Sequence, residues 1–512
     1  MRKSSKKRAP RGEYVSQHQL TLSGFESPFY EQLDPDNRWV RLSKQIPWDS
    51  LVSLYQKRNA QKPTGRPSLN PRVAIGAVII KHLCNLDDRE TVSQITENMY
   101  MQYFLGYSSY SREPPFDPSL FVEIRKRMGE ELIGEMNDKI FGFSKAPSLK
   151  DGNEKEGENI EGKDDGDMNK GELIVDATVC PQDIAYPTDL NLLDESRMMA
   201  QSIIDKLHKL GSGGTKKPRT YRKKARRDYL KVAQNRSPSR KAIRKGVKAQ
   251  LQYLRRDLKI IEKQLDNFDG FPLKHKWQRH YWVIQTLYLQ QNEMFEKKTH
   301  SVDHRIVSIH QPHVRPIVRG KARNKTEFGA KIHLSMVDGY SFLDTISWDA
   351  YNEGAHLQGY VGNYRARFGF YPAKVLADKL YCSRENRKWL KDRNIKLAAK
   401  PLGRPSKKAV ANHVRPGERN PIEGKFGQGK NGYGMNRIRA RLKTTSQSWI
   451  ASIILVLNLV KLAGEALLCL GFSAWKGLGK QIILHLRAII SISKIQNRPA
   501  FEVRPVLDEL CR

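Results

Sequence analysis

The chain has 512 residues, enough for roughly two to four domains and a sizeable core. Lys and Arg total 90 against 54 Asp and Glu, a formal net charge of +36. A surplus that large indicates a polyanionic partner, nucleic acid before a membrane surface. Five scattered cysteines without a CxxC pair exclude a visible zinc knuckle and favour a reducing cytosol.

The N-terminal third is predicted to be a basic arm followed by helices. Residues 1–25 are basic, have no apolar core of the kind that a signal peptide carries, and are expected to be disordered. Residues 26–150 are predicted to form a helical DNA-binding domain, because apolar residues recur at helical spacing between Ile75 and Leu86. A second helix is expected after Asp117. The pattern suits a helix-turn-helix and equally any small helical bundle.

An acidic linker and a short strand follow. Residues 151–170 hold eight acids and no aromatic residue, so they are unable to bury enough surface to fold. Leu173 to Thr178 is predicted to be a strand that carries Asp176. Residues about 190–310 are predicted to be a helical, basic insertion, in which Leu251 to Leu265 follow a 3-4-3-4 spacing. That stripe suits internal packing more than a dimer seam.

Further strands are predicted at 328–336 and 341–348, joined by an Asp338-Gly339 hairpin turn, and at 375–378 and 395–399. This order predicts an α/β fold: an RNase H-like mixed five-stranded sheet core over 171–445, with the helical insertion, preceded by an all-helical N-terminal DNA-binding domain. Residues 446–512 are predicted to be helices that pack on the core. The apolar run 449–472 contains Asn458, Lys461 and Glu465, so a buried helix is favoured over a membrane span.

Three carboxylates occupy the places at which such a sheet would assemble a metal site. The first and fourth strands of an RNase H-like sheet are neighbours, and Asp176 and Asp378 lie on or just beyond them. Glu423 follows the fifth strand. Phosphodiester chemistry with two metal ions about 3.5–4 Å apart needs such oxygen ligands. Asp338 is the competing choice for the second Asp, but a turn explains it without a metal.

Several blocks of the sequence resemble the transposases of bacterial insertion sequences, specifically the insertion-sequence-five group. The blocks lie in the same order as in that family and cover most of the chain. They are GRPSLNPRVAIGAVIIKHLCNLDDRETVSQITENMYMQYFLGY (65–107), FDPSLFVEIRKRMG (116–129), IVDATVCPQDIAYPTDLNLLDESR (174–197), TEFGAKIHLSMVDGY (326–340), WDAYNEG (348–354), VLADKLY (375–381) and ERNPIEGKFGQGKNGYGMNRIRARL (418–442).

The resemblance implies a DDE transposase with Asp176, Asp378 and Glu423 as catalytic residues and metal ligands for Mg²⁺ or Mn²⁺, two ions in all. Arg419 and Lys430 match the family's Tyr-Arg-Glu-Lys signature around the Glu and would contact DNA. Pro416 stands where the family has its Tyr. Five glycines in 424–434 predict poor helix propensity around this motif.

The expected substrate is DNA: the terminal inverted repeats of an element and a target. A homodimer on DNA, in the bacterial cytosol and without a membrane, is expected from the family. A run of eight basic residues lies at 215–227: Lys216, Lys217, Arg219, Arg222, Lys223, Lys224, Arg226 and Arg227. The run is predicted to be either a solvated loop or a contact to the DNA backbone, and the contact is favoured. A decayed transposase acting as a DNA-binding regulator and a general RNase H-like nuclease are the alternative functions.

Overall fold

The structure is a computed structural model. It describes residues 33–59, 68–145, 169–211, 216–318, 326–399 and 417–464, together with residues 14, 16, 28 and 29. Most of the predicted N-terminal arm, the acidic linker up to residue 168 and the tail beyond 464 therefore lie outside the described residues. The described part is a mixed α/β structure.

Seven helices precede the first strand in the described residues. Local signals explain where several of them begin: the Asn70 side chain accepts from the Arg72 N–H ahead of α3, and Asp87 accepts from two N–H groups of α4. The helices are α1 (Arg38–Gln45), α2 (Trp48–Arg58), α3 (Pro71–Leu83), α4 (Asp88–Glu97), α5 (Met99–Phe104), α6 (Leu120–Arg127) and α7 (Glu130–Lys145).

The rest of the described chain is a mixture of strands and helices, with four helices between the first strand and the second. Its elements are β1 (Glu172–Pro181), α8 (Asp189–Gly211), α9 (Arg222–Ala233), α10 (Arg240–Leu265), α11 (His275–Lys297), β2 (Arg315–Val318), β3 (Thr326–Val337), β4 (Tyr340–Ser347), α12 (Leu357–Phe368), β5 (Lys374–Leu376), α13 (Arg384–Lys391), β6 (Lys396–Ala398), α14 (Asn420–Gly432) and α15 (Lys443–Gly464). Two short 3₁₀ helices, Glu353–His356 and Lys379–Tyr381, follow β4 and β5.

The sheet places β1 at its centre. β3 pairs with β1 antiparallel, β5 pairs with β1 parallel, and β6 pairs with β5 parallel. The far edge of β3 pairs with β4 and, nearer its start, with β2. The order β4-β3-β1-β5-β6, antiparallel on one side of β1 and parallel on the other, is consistent with an RNase H-like core.

The prediction of five strands was wrong by one, because the sheet has six. β2 has only four residues, and their burial does not alternate, so the local sequence pattern does not predict a strand there. The hairpin prediction was correct. Asp338 and Gly339 both have positive φ, +49° and +78°, which is the backbone of a tight turn between twisted strands.

The leucine stripe of α10 packs inside the insertion. Leu254 and Ile261 have no exposed surface, and with α8 and α11 they form one apolar cluster. Internal packing, the favoured interpretation of this stripe, is therefore confirmed.

Helix α15 joins the N-terminal helices to the sheet. Its residues Leu455 and Leu459 belong to the core of helices α1–α7, while Ile450 and Leu457 pack with β3 and α14. Among the described residues, α15 is the one helix that is long enough and apolar enough to cross a membrane. However, 72% of its most apolar 18-residue window is buried inside the protein. A helix that is apolar all round is expected at such a central place.

Candidate functional site

Of the two predicted aspartates, Asp176 lies on β1 and Asp378 lies just beyond the end of the neighbouring parallel strand β5. Ile174 of β1 pairs with Leu376 of β5, so the register continued by two residues puts Asp378 opposite Asp176. Asp378 lies two residues beyond the end of β5 and precedes a 3₁₀ turn, where its Oδ1 accepts from the Lys379 N–H at 2.7 Å. The fold thus brings together carboxylates that are about 200 residues apart in the chain.

Arg419 joins these two carboxylates. Its Nη2 lies 3.0 Å from Oδ2 of Asp176, and its Nη1 lies 3.4 Å from Oδ1 of Asp378. The side chains of Arg419 and Asp176 are each 20% exposed, whereas that of Asp378 is 49% exposed. One planar guanidinium therefore partly neutralises both acids.

Glu423 belongs to the same electrostatic group. It lies in the first turn of α14, and Arg419 is the N-cap residue of the same helix. Burial raises the pKa of Asp176 above its ordinary value. The Ala177 N–H and Arg419 act in the opposite direction, and the negative charges of Asp378 and Glu423 raise this pKa further. Three acids close enough to repel one another would favour a bound cation.

The donor set fits a hard divalent cation in its chemistry, because all three groups supply carboxylate oxygens. In the described ranges, however, no three His, Cys, Asp or Glu side chains converge closely enough to hold a metal ion. The guanidinium of Arg419 spans Asp176 and Asp378, where a shared cation would lie. Closer convergence of the three acids would require that this contact change.

Helix α14 forms in spite of four glycines. Ile422 and Phe426 are buried against the sheet and α15, which compensates for the weak propensity of the segment. Gly429 also meets a packing need, because a Cβ there would lie 2.9 Å from Cε of Met435. Glu423 is thereby held in the first turn and Lys430 in the last turn of one continuous helix.

All eight basic residues predicted at 215–227 are exposed or partly exposed. Asp205 pairs with Lys217 at 2.9 Å and with Arg222 at 2.8 Å, and Asp194 pairs with Arg226 at 2.7 Å. In the part of the chain that the structure describes, no carboxylate lies within ion-pair distance of the other five: Lys216, Arg219, Lys223, Lys224 and Arg227. Three basic side chains of this run therefore form ion pairs within the protein, and the other five face solvent.

Two other aspartates that follow Asp176 in the chain pair with arginines. Asp183 lies 3.0 Å from Nε of Arg437, and Asp189 lies 2.7 Å from Nη2 of Arg305. Asp338 lies in the β3–β4 turn, as the hairpin prediction required.

Polar residues of three family-like blocks, to which the sequence analysis assigned no role, contact one another beside β3. Glu353 pairs with Lys331 of β3, and the ring of Tyr381 is buried beside His333 at 5.9 Å between centroids. The sequence contained a signal for these residues, because the blocks 326–340, 348–354 and 375–381 carry charged and aromatic residues in or near the strands.

Known families match two separate parts of the chain. Residues 375–460 match a family described as "Transposase DDE domain", and residues 27–127 match one described as "Transposase domain (DUF772)". The chain belongs to the DDE transposases of insertion sequences. The DDE match contains Asp378, Arg419, Glu423 and Lys430, while Asp176 lies ahead of it.

A curated relative of this transposase is an uncharacterized protein, ORF8 in the nfe locus of Rhizobium meliloti. The two are 32% identical over 174 residues, which is 33% of this chain and 76% of the relative. No solved structure matches the chain with significance.

Proposed function

We propose that this transposase binds the terminal inverted repeats of its element and catalyses metal-dependent cleavage and strand transfer of DNA. The observation that supports the proposal is that Asp176 lies on β1 and Asp378 just beyond the adjacent parallel strand β5, with Glu423 close enough to raise the pKa of Asp176. The match to the DDE domain contains Asp378 and Glu423 and supports the proposal that these two are catalytic acids, while Asp176 is proposed from its position beside Asp378.

Asp176, Asp378 and Glu423 would hold Mg²⁺ or Mn²⁺, two ions in all. When bound, the ions would activate water and stabilise the charge that develops on the attacking and leaving oxygens. Arg419 holds Asp176 and Asp378 near each other through its two Nη atoms. On a DNA complex, Arg419 and Lys430 would contact phosphates and orient the strand across the carboxylates.

The DNA interface would extend over the insertion. Five cations of the 216–227 segment have no carboxylate partner in the described residues, and the chain carries a net charge of +36. Such groups suit phosphate contacts, which supply affinity without reading sequence. The helices of residues 26–150 would recognise the repeats, and two copies would assemble on DNA in the bacterial cytosol.

A labelled duplex that carries the element's own ends tests this function. Wild type is compared with Asp378→Asn, which keeps the shape of the side chain but removes the charge that a metal needs. Asp338→Asn, in the hairpin turn, is the matched control. We expect nicking and joining by wild type and by the control with Mg²⁺ or Mn²⁺, and neither with chelator.

Asp378→Asn should bind the ends but lose cleavage by at least about 100-fold. If Asp378→Asn still cuts and Asp338→Asn does not, the assignment of the second acid is wrong. If wild type binds the ends but cuts under no condition, the alternative of a DNA-binding regulator takes its place. Cleavage without preference for the ends, and without joining, would instead support a general nuclease.

A further inference from the structure

The turn that carries Asp378 has little support from the sheet. β5 has three residues, and beyond it, among the residues that the structure describes, only the Ala377 N–H continues the pairing, to the Ala398 carbonyl at 3.3 Å. The chain then leaves the sheet as the 3₁₀ turn Lys379–Tyr381. A metal ligand has to be held to within about 0.5 Å of its working position. Contacts outside the sheet must therefore hold this turn.

Asn386 provides such a contact from the first turn of α13. Its side chain is buried, and its Nδ2 donates to the Tyr381 carbonyl at 3.1 Å and to the Gly354 carbonyl at 2.7 Å. The two hydrogens of one amide thus connect the Asp378 turn to the 3₁₀ segment Glu353–His356. The Asn386 N–H is itself capped by Oγ of Ser383 at 3.1 Å, which orients the residue.

The segment 353–356 is in turn anchored to the sheet. Lys331 of β3 forms an ion pair with Glu353 and donates to the Tyr351 carbonyl at 2.7 Å. Gly354 packs so closely on the turn that a Cβ there would lie 2.3 Å from the Leu380 carbonyl oxygen. A continuous set of contacts therefore runs from β3 through segment 353–356 and Asn386 to the turn.

Tyr381 closes this arrangement. Its side chain is 1% exposed and packs edge-on to His333 of β3. Burial, with the charges of Glu353 and Asp176, raises the pKa of Tyr381, so its hydroxyl stays neutral. Moving the turn would pull this buried ring out of its place and leave a gap in the close-packed interior, which costs free energy.

We propose that Asn386 is a positioning residue for Asp378, acting as a clamp between the metal-ligand turn and segment 353–356. The inference rests on the proposed function for the role of Asp378. It gives the blocks 348–354 and 375–381 a structural role besides carrying Asp378, because each block supplies a carbonyl group that Asn386 contacts. Without the clamp, the turn would open locally while the rest of the protein stayed folded.

Two buried cysteines can report such local opening. Cys382 lies directly after the turn, and Cys180 lies in β1; both are buried thiols. Global unfolding exposes both, whereas opening of the turn exposes only Cys382. Alkylation with N-ethylmaleimide, followed by peptide mass spectrometry, gives the ratio of the two labelling rates in the full-length protein.

Asn386→Ala should raise the Cys382 to Cys180 ratio by about tenfold or more, since it removes the two side-chain hydrogen bonds that join the turn to segment 353–356. Asn137→Ala is the matched control. Asn137 is also buried, and its Nδ2 donates to the Ser341 carbonyl at 3.0 Å, away from the turn. Gly354→Ala, which crowds the Leu380 carbonyl from the other side, should raise the ratio as Asn386→Ala does.

Binding of Mn²⁺ in the absence of DNA gives the second readout. Asn386→Ala should weaken it by about 10- to 100-fold, and excess Mn²⁺ should restore cleavage, while Asn137→Ala changes neither. An unchanged labelling ratio, or an equal rise in labelling of both cysteines, would overturn the clamp. If wild type itself binds no Mn²⁺, the proposed function fails, and the labelling ratio still decides whether Asn386 holds the turn.

Discussion

Arg419 and a divalent cation compete for the same carboxylates, which predicts an unusual response to replacing this arginine. Arg419→Gln keeps a polar side chain of similar length but removes the charge that lies 3.0 Å from Asp176 and 3.4 Å from Asp378. The variant should bind metal more tightly in the absence of DNA, although it should cleave DNA less well.

The structure sets the size of this effect. Two opposite charges about 4 Å apart interact by about 4 kcal/mol at the effective dielectric constant of a protein surface. Because the Asp378 side chain is 49% exposed, solvent screens much of this interaction. A net effect of about 1–2 kcal/mol remains, which corresponds to about 5- to 30-fold tighter metal binding.

Isothermal titration of Mn²⁺ into the DNA-free protein at pH 8 measures this change. Arg437→Gln is the matched control, because Arg437 also pairs with an aspartate, Asp183 at 3.0 Å, and is not within ion-pair distance of Asp176 or Asp378. The control should bind Mn²⁺ as wild type does. Weaker or unchanged binding by Arg419→Gln would refute the competition and would mean that Arg419 supports the carboxylates in their metal-binding positions. In the cleavage assay, Arg419→Gln should reduce the rate at least about tenfold, since the variant has no guanidinium to hold a phosphate.

The remaining predictions concern the insertion and the core. Replacing the five solvent-facing cations of the 216–227 segment with Gln should reduce the salt dependence of DNA binding by about 0.9 in log–log slope for each phosphate that they neutralise; an unchanged slope would place them away from phosphates. Asp257 of α10 has no exposed surface, and burial raises its pKa from 3.8 to about 6. The folded state therefore binds this proton more tightly than the unfolded state, so stability falls as pH rises from about 4 to 6 and is then level. Asp257→Asn should exceed wild type in unfolding free energy by up to about 3 kcal/mol at pH 7.5, with the difference vanishing near pH 4 in urea titrations. A constant difference at both pH values would contradict the buried-charge explanation. Asn458→Leu should lower the unfolding free energy by about 2–4 kcal/mol, because Asn458 links Asn137 of α7, at 2.7 Å, to Ser341 of β4, at 2.8 Å. Separate melting of the N-terminal helices and the sheet would contradict this shared core.

Local patterns sufficed wherever neighbouring residues decide the structure. The β3–β4 hairpin followed from Asp338-Gly339, because few residues adopt positive φ and the flanking residues suit strands. The strands that carry Asp176 and precede Asp378 followed from short apolar runs, and the helices of the insertion followed from helical spacing. The order of these elements along the chain was enough to predict that both aspartates lie on neighbouring strands.

Interactions between distant residues were decided only by the packed chain. The pairing of β2 with β3 became evident only from the sheet itself, since four residues are too few to show the period of a strand. Helix α14 forms because Ile422 and Phe426 are buried against other elements, which outweighs the poor helix propensity of its glycines. The bridge from Arg419 to Asp176 spans 243 positions, and the Asn386 amide meets carbonyl groups of two separate turns. Such interactions depend on which surfaces the tertiary fold brings together, because the energy of a hydrogen bond or ion pair depends on distance in space and not on separation along the chain.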